Sequence, residues 1–353
     1  MLIRFFTIAA MVLIAASVSP GAENRRTPDG HPDLSGVYDI ATLTPLTRPS
    51  NVADKLSLTD AEAQALARMA AAVMAKNNRA SDPNRTAPPA GGDGSEGAAG
   101  NVGGYNTLWV DNGTGAFKID GKWRTSIITD PKNGRMPPMT PAAGQRALAR
   151  GKMNRPNRGD AFWIKEGITP GPYDDPELRP LAERCLLGFG ASAGPPSLPV
   201  LYNNLKQIVQ TKDHVMILNE MVHDARIVRM NGKHEPLEIR RWLGDSIGHW
   251  EGETLVVDTT NFTDQPALGN ASRNLHVVER FSRIDEKTLL YKFTVEDPTV
   301  WTAPWSGEIV WPATDSRIYE YACHEGNYSF ANILRGARRL EAEAKSNPDA
   351  PAK

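Results

Sequence analysis

Residues 275–296 read LHVVERFSRIDEKTLLYKFTVE, and their alternation decides the fold class. A strand over 275–284 sets Val277, Glu279, Phe281 and Arg283 on one face and His276, Val278, Arg280 and Ser282 on the other, because successive strand side chains point to opposite sides. After the turn Asp285-Glu286-Lys287, a strand over 288–296 gives Leu289, Tyr291, Phe293 and Val295 an apolar face. Leu290, Lys292, Thr294 and Glu296 fall on the polar one. Two such runs joined by a short polar turn predict an antiparallel hairpin. Pairing the apolar faces carries Glu279 into the interior. A buried carboxylate must be paired or protonated, so Glu279 is either the structural partner of an arginine or a site residue with a raised pKa.

Similar short runs flank this hairpin at 206–210, 214–219, 225–230, 238–243, 254–259, 305–310 and 317–323, separated by turn chemistry such as Asn231-Gly232 and Glu251-Gly252. The pattern predicts a mainly β chain built as an antiparallel meander. A closed, lipocalin-like barrel is the first expectation, since closure removes exposed edges, and a strongly curved sheet is the second.

The β-rich domain is expected over 105–345. It begins with short strands at 107–111, 116–119 and 123–129, and a helix follows Thr140 to about 152. An irregular, Pro- and Gly-rich segment follows at 154–199, and a helix over 330–345 precedes a polar tail at 346–353. Ahead of it lies an irregular N-terminal arm, 23–104, with a strand at 35–40. Thr59 and Glu62 form a capping box for a helix running to about residue 76. Residues 77–104 lack apolar periodicity and read as a linker.

Residues 1–22 have the form of a secretory signal peptide: Arg4, then an apolar run over 5–16, then small residues. That run is shorter than the roughly 20 residues needed to span a bilayer, and no later segment is apolar enough to do so. Export places the two cysteines, Cys185 and Cys323, in an oxidising compartment, where a disulfide is the expected state. The competing reading, a Cys323 nucleophile beside His324, suffers because adjacent strand residues face apart.

Forty Lys and Arg against 41 Asp and Glu leave a net charge of −1, and no basic block exists to neutralise phosphates, so nucleic acid is not an expected partner. The chain has no dinucleotide fingerprint, phosphate loop or GxSxG elbow, and no cofactor is expected. It also lacks HExxH, HxH and CxxC, so a divalent metal would need His223, His324 and Glu325 to converge from separate segments.

The candidates for proton transfer are His223, Glu279 and His324, since a histidine near a carboxylate serves as acid or base near neutral pH. Arg226 is the candidate for holding an anionic group. Trp305 and Tyr321 are candidates for stacking on a sugar or aromatic ligand, with core filling as the alternative for the tryptophans. A staple at Cys323 would hold His324, Glu325 and Asn327 in place, which makes Glu325 and Asn327 binding candidates.

The segments PDLSGVYD, DPKNGRMPP, ERCLLGF, YNNLKQIVQT, HDARIVRMNG, GDSIGHWEGETLVVDTTNF, ERFSRID, EDPTVWTAPW and YEYACHEGNY span most of the mature chain. Together they resemble a family of secreted bacterial proteins without an assigned activity. The resemblance implies a periplasmic or exported bacterial protein and carries no mechanism. Three classes are open: an exported enzyme acting on a small molecule or sugar by cofactor-independent acid–base chemistry (hydrolysis, elimination or isomerisation), a binding barrel for an apolar or aromatic ligand, and a non-catalytic envelope-associated protein.

Overall fold

The computed structural model describes residues 25–52, 55–78, 84, 86, 110–155 and 159–346. The expected signal peptide, nearly all of the 77–104 linker, most of the 107–111 strand and most of the polar tail lie outside these residues. The described part is mainly β. Ten strands form one curled sheet: β1 (Gly36–Asp39), β5 (Ile128–Asp130), β6 (Leu205–Gln210), β7 (His214–Asn219), β8 (Ala225–Met230), β9 (Asp245–Glu251), β10 (Thr254–Thr260), β11 (His276–Asp285), β12 (Thr288–Glu296) and β13 (Trp305–Pro312). A small second sheet holds β2 (Ser57–Leu58), β3 (Lys118–Ile119) and β4 (Lys122–Arg124).

The large sheet runs β1-β6-β7-β8-β9-β10-β11-β12-β13-β5. Of the two geometries expected, the strongly curved sheet is the one that forms. It is a half-barrel whose two margins meet where the Thr314 amide donates to the Val37 carbonyl at 2.9 Å, beside the Tyr38–Ala313 bridge, and where the Ile127 and Ile128 amides donate to the Pro45 and Leu46 carbonyls at 2.8 and 3.0 Å. The β11–β12 hairpin has the expected facing: Val277 lies opposite Val295, Glu279 opposite Phe293 and Phe281 opposite Tyr291, and all six are buried. On this concave face Trp311 packs on Phe281 and Tyr291 at centroid distances of 5.4 and 5.0 Å, and Trp305 packs edge-on against Phe293 and Trp301. The interior is therefore a filled core.

Helix α1 (Asp60–Asn77) starts at the expected capping box, with the Glu62 amide donating to Thr59 Oγ1 and the Thr59 amide to the Glu62 carboxylate. Helix α2 (Pro141–Met153) is capped by Thr140 and begins with proline, whose missing N–H costs nothing in a first turn. A short helix α3 (Phe162–Lys165) packs on the long C-terminal helix α4 (Tyr328–Ser346), where Trp163, Tyr173 and Ala337 form a second small core.

Three strand expectations need correction, the first being 123–129, which divides into β4 and β5 in different sheets. Residues 238–243 are not a strand; Arg241 makes only an isolated bridge to Phe262. Residues 317–323 are irregular, and Tyr319 stands 71 % exposed, because the sheet margin beyond β13 is taken by β5 and β1. The strand that sequence reading passed over is β9. Its Gly248 looks like a breaker, but a Cβ there would meet Val228 and Met230 side-chain atoms at 2.8 and 3.0 Å, so glycine is what lets β8 approach.

One pair also departs from the meander. β8 and β9 run parallel, with Val228 opposite Ser246 and Met230 opposite Gly248, while the other pairs of the sheet are antiparallel. A parallel neighbour requires the chain to travel back along the strand before pairing, and residues 231–244 make that return.

Candidate functional site

The parallel pair opens a cleft. β8 begins at Ala225, but its pairing with β9 begins only at Val228, so the two strands fork over Ala225–Ile227. Ile227 points to the outward face of β8, alternating with the buried Arg226 and Val228, and is 49 % exposed. The cleft has a volume of about 780 Å³, within the usual range for small-molecule sites. Leu186, Leu187, Ile227, Trp242 and Leu243 give it apolar walls, while Asp224, Arg226, Arg229, Arg240, Arg241 and Asp245 supply charge.

Asp224 is the chemically unusual member. It is half-buried, and among the described residues its Oδ2 accepts only a long 3.4 Å bond from the Gly188 amide. Burial pushes its carboxyl up to about 6, partly offset by the Gly188 bond and by His223 and Lys206. Behind it, Lys206 is wholly buried, donates to the Ser192 carbonyl at 2.5 Å, and is pulled down to about 7 by desolvation against the opposing pull of Asp224 and Glu220. The backbone just before Asp224 is strained. Val222 and His223 sit at φ 59° and 45°, a left-handed region that a β-branched residue strongly resists.

Arg226 and Glu279 take the structural role that the sequence allowed for the carboxylate. The guanidinium holds both carboxylate oxygens, Tyr291 Oη donates to Oε1 at 2.8 Å, and the Ser197 amide donates to Tyr291 Oη at 2.9 Å. Desolvation, with the Glu279 charge next, raises the Tyr291 phenol well above its ordinary value, so it remains a donor. Glu279 is fully buried and reaches no solvent-open surface.

The other candidates do not gather around it. His223 is exposed on the turn before β8 and does not line the cleft. Trp305 is fully buried in the aromatic core, the filling role. Cys185 and Cys323 are joined, with Cα atoms 5.6 Å apart, across 138 residues. Tyr321 lines a separate groove of about 470 Å³ beside this disulfide, with Phe189, Asn327 and Ile333. Asn327 Nδ2 donates to the Glu183 carbonyl at 2.8 Å, while His324 and Glu325 are exposed in the turn between Cys323 and α4. Thus the three residues expected to move protons, His223, Glu279 and His324, do not form one constellation.

On the convex face the structure assembles a cluster that sequence reading missed. His276 Nε2 lies 3.0 Å from Asp258 Oδ2, and His234 Nε2 lies 2.9 Å from Asp258 Oδ1. The second nitrogens face carboxylates as well, His276 Nδ1 towards Glu296 at 3.4 Å and His234 Nδ1 towards Asp245 at 3.1 Å. The Asp258 hydrogen bond, opposed by desolvation, raises the His276 pKa. Asp258 itself is lowered: its own burial works the other way, and the bonds from His276 and His234 overcome it. Asp245 ends this chain and also binds Arg229 at 2.9 Å, which links the cluster to the cleft wall.

The signal for Asp224 was present as HDAR at 223–226, but nothing local marks Lys206 as its buried neighbour. Asp258 and His276 could have been read as outward residues of adjacent strands. His234, from the 231–244 return, could not. Among the described residues no helix is long and apolar enough to cross a membrane, and no group of three or more His, Cys, Asp or Glu side chains could hold a metal ion. Comparison with protein-family models and with curated proteins finds no match for this chain.

Proposed function

We propose that the chain is an exported enzyme that binds a small molecule in the β8–β9 cleft and acts on it by acid–base chemistry, with Asp224 moving the proton. The observation that carries this reading is the Asp224 carboxyl: half-buried in an open cleft, held by one long amide bond, lifted to about 6, and set by strained backbone at Val222 and His223. A base with such a pKa is ionised at neutral pH yet close enough to it to exchange protons efficiently. Strain of this kind clusters at functional sites, where surrounding structure holds it. The buried Arg226–Glu279 pair keeps β8, and hence Asp224, in a fixed position.

The concave face is filled by aromatic side chains, so a ligand held inside the barrel has less support than one in the cleft. The export part of the reading rests on the apolar run at 5–16 and on the disulfide, a bond that persists in oxidising compartments.

The test is to incubate purified wild type and Asp224→Asn with periplasmic metabolite and glycan pools and follow both by mass spectrometry. A species consumed by wild type at least about a hundredfold faster than by the variant is the expected result, that being the lower range for removing a general base. Equal consumption by both proteins, or none by either, sinks the proposal.

A further inference from the structure

Two of the arginines that line the cleft have no close carboxylate of their own, and they point to the kind of ligand it takes. Arg226 is neutralised by Glu279 in the core. Arg229 is neutralised by Glu235 at 2.6 Å and Asp245 at 2.9 Å. Arg240 is different: its Nη1 donates to the Phe262 and Arg273 carbonyls, each at 2.9 Å, and the carboxylate whose charge it feels, Asp264, is held by Arg273, so Arg240 makes no close ion pair among the described residues. Arg241 has only a 3.4 Å approach to Asp245, whose carboxylate already serves Arg229 and His234, and its side chain is 51 % exposed. Both guanidiniums come from the end of the 231–244 return. They belong to the same cleft as the apolar surface of Ile227, Trp242 and Leu243.

We propose that the ligand of this cleft is a small carboxylate with an aromatic or extended apolar body, its anionic end held by Arg240 and Arg241 and its body lying on Ile227, Trp242 and Leu243. This rests on the reading of the cleft as the site and adds the class of molecule it takes. A planar guanidinium matches a carboxylate edge to edge. Apolar walls with a few placed charged groups are the usual make-up of a small-molecule pocket. Two guanidiniums that are each partly offset by a carboxylate, Asp264 near Arg240 and Asp245 near Arg241, with Asp224 in the same cleft, favour a monoanion over a dianionic phosphate ester. Asp224 would repel that carboxylate, which orients the molecule with its anion towards Arg240 and Arg241 and its reacting atoms towards Asp224.

The test uses matched probes, 1-naphthoate, 1-naphthylmethanol and 1-naphthyl phosphate, with binding to the full mature chain at pH 7.5 measured by calorimetry. Naphthoate is expected to bind at least about tenfold more tightly than the neutral alcohol, the factor one charge-assisted hydrogen bond supplies. In the double variant Arg240→Gln, Arg241→Gln, this preference is expected to fall below about threefold. Arg241→Gln alone, a change at an exposed side chain, should give an intermediate value if the double variant folds poorly. Equal affinity for acid and alcohol, binding of neither, or an undiminished preference in the variants overturns the ligand class, and so does tighter binding of the phosphate. Because no turnover is involved, this result is separable from the proton-transfer test: loss of preference for the acid leaves an effect of Asp224→Asn on turnover intact, and the converse also holds.

Discussion

Arg226 Nη2 donates to Glu279 Oε1 at 2.8 Å while Nη1 donates to the other carboxylate oxygen, joining β8 to β11 through an ion pair that is 2 % and 0 % exposed. The pair crosses the concave side of a sheet in which these strands are three positions apart.

Removing one partner leaves a buried charge with nothing to compensate it. Glu279→Ala is expected to cost about 3–5 kcal/mol, while the double change Arg226→Met, Glu279→Leu should recover most of that loss, since well-packed apolar side chains replace buried ion pairs at little cost. Urea denaturation of the three proteins checks this, and a double variant as unstable as the single one contradicts it.

Asp224 should make stability fall with pH in the acidic range. A carboxyl raised from 3.8 to about 6 binds more protons folded than unfolded between those values, so its contribution is complete below 3.8 and lost as pH rises through about 6. Asp224→Asn should flatten this part of the stability profile. In the wild type the Asp224 carboxyl carbon resonance should titrate near 6 by NMR, and a midpoint near 4 would refute the assignment.

His276 acts in the same direction at higher pH. Its folded pKa is raised above 6.5, chiefly by Asp258, so the stabilisation it brings is present below 6.5 and lost as pH rises through the raised value. The lowered Asp258 contributes in the opposite sense, its share being present above 3.8 and lost as pH falls through its depressed value. Melting temperatures across pH 5–9 should therefore decline more steeply above 6.5 for wild type than for His276→Gln. Parallel curves would show that the ion pair does not act.

The Cys185–Cys323 bond closes a loop of 138 residues, for which chain entropy alone predicts about 5 kcal/mol. Native strain and residual unfolded structure reduce such figures, so Cys185→Ser with Cys323→Ser should cost about 2–5 kcal/mol. Intact mass after thiol labelling should show added labels only when the protein is first reduced. Labelling without reduction would mean free thiols.

The β11–β12 hairpin was legible because its alternation is local: each strand carries its apolar face in its own residues, so Phe281, Tyr291 and Phe293 could be placed before any contact was known. The capping box at Thr59 and Glu62 was legible for the same reason. By contrast, β9 was hidden by Gly248, whose value lies in the closeness of a neighbouring strand, and 317–323 alternated like a strand while the sheet had no margin to receive it.

The sequence by itself determined the mainly β class, the inward turn of Glu279, the two-cysteine staple as an expectation, and the polar and aromatic residue types available for chemistry. Tertiary structure alone decided where chemistry is possible. Only the parallel return of residues 231–244 opens the fork at Ala225–Ile227, places Arg240 and Arg241 in the cleft that Asp224 also lines, and sets His234 against Asp258. The physical reason is range. Periodicity and capping depend on neighbours a few residues away, whereas the burial and the pKa of Asp224 depend on distant groups such as Gly188 and Lys206, which only the folded chain brings to it.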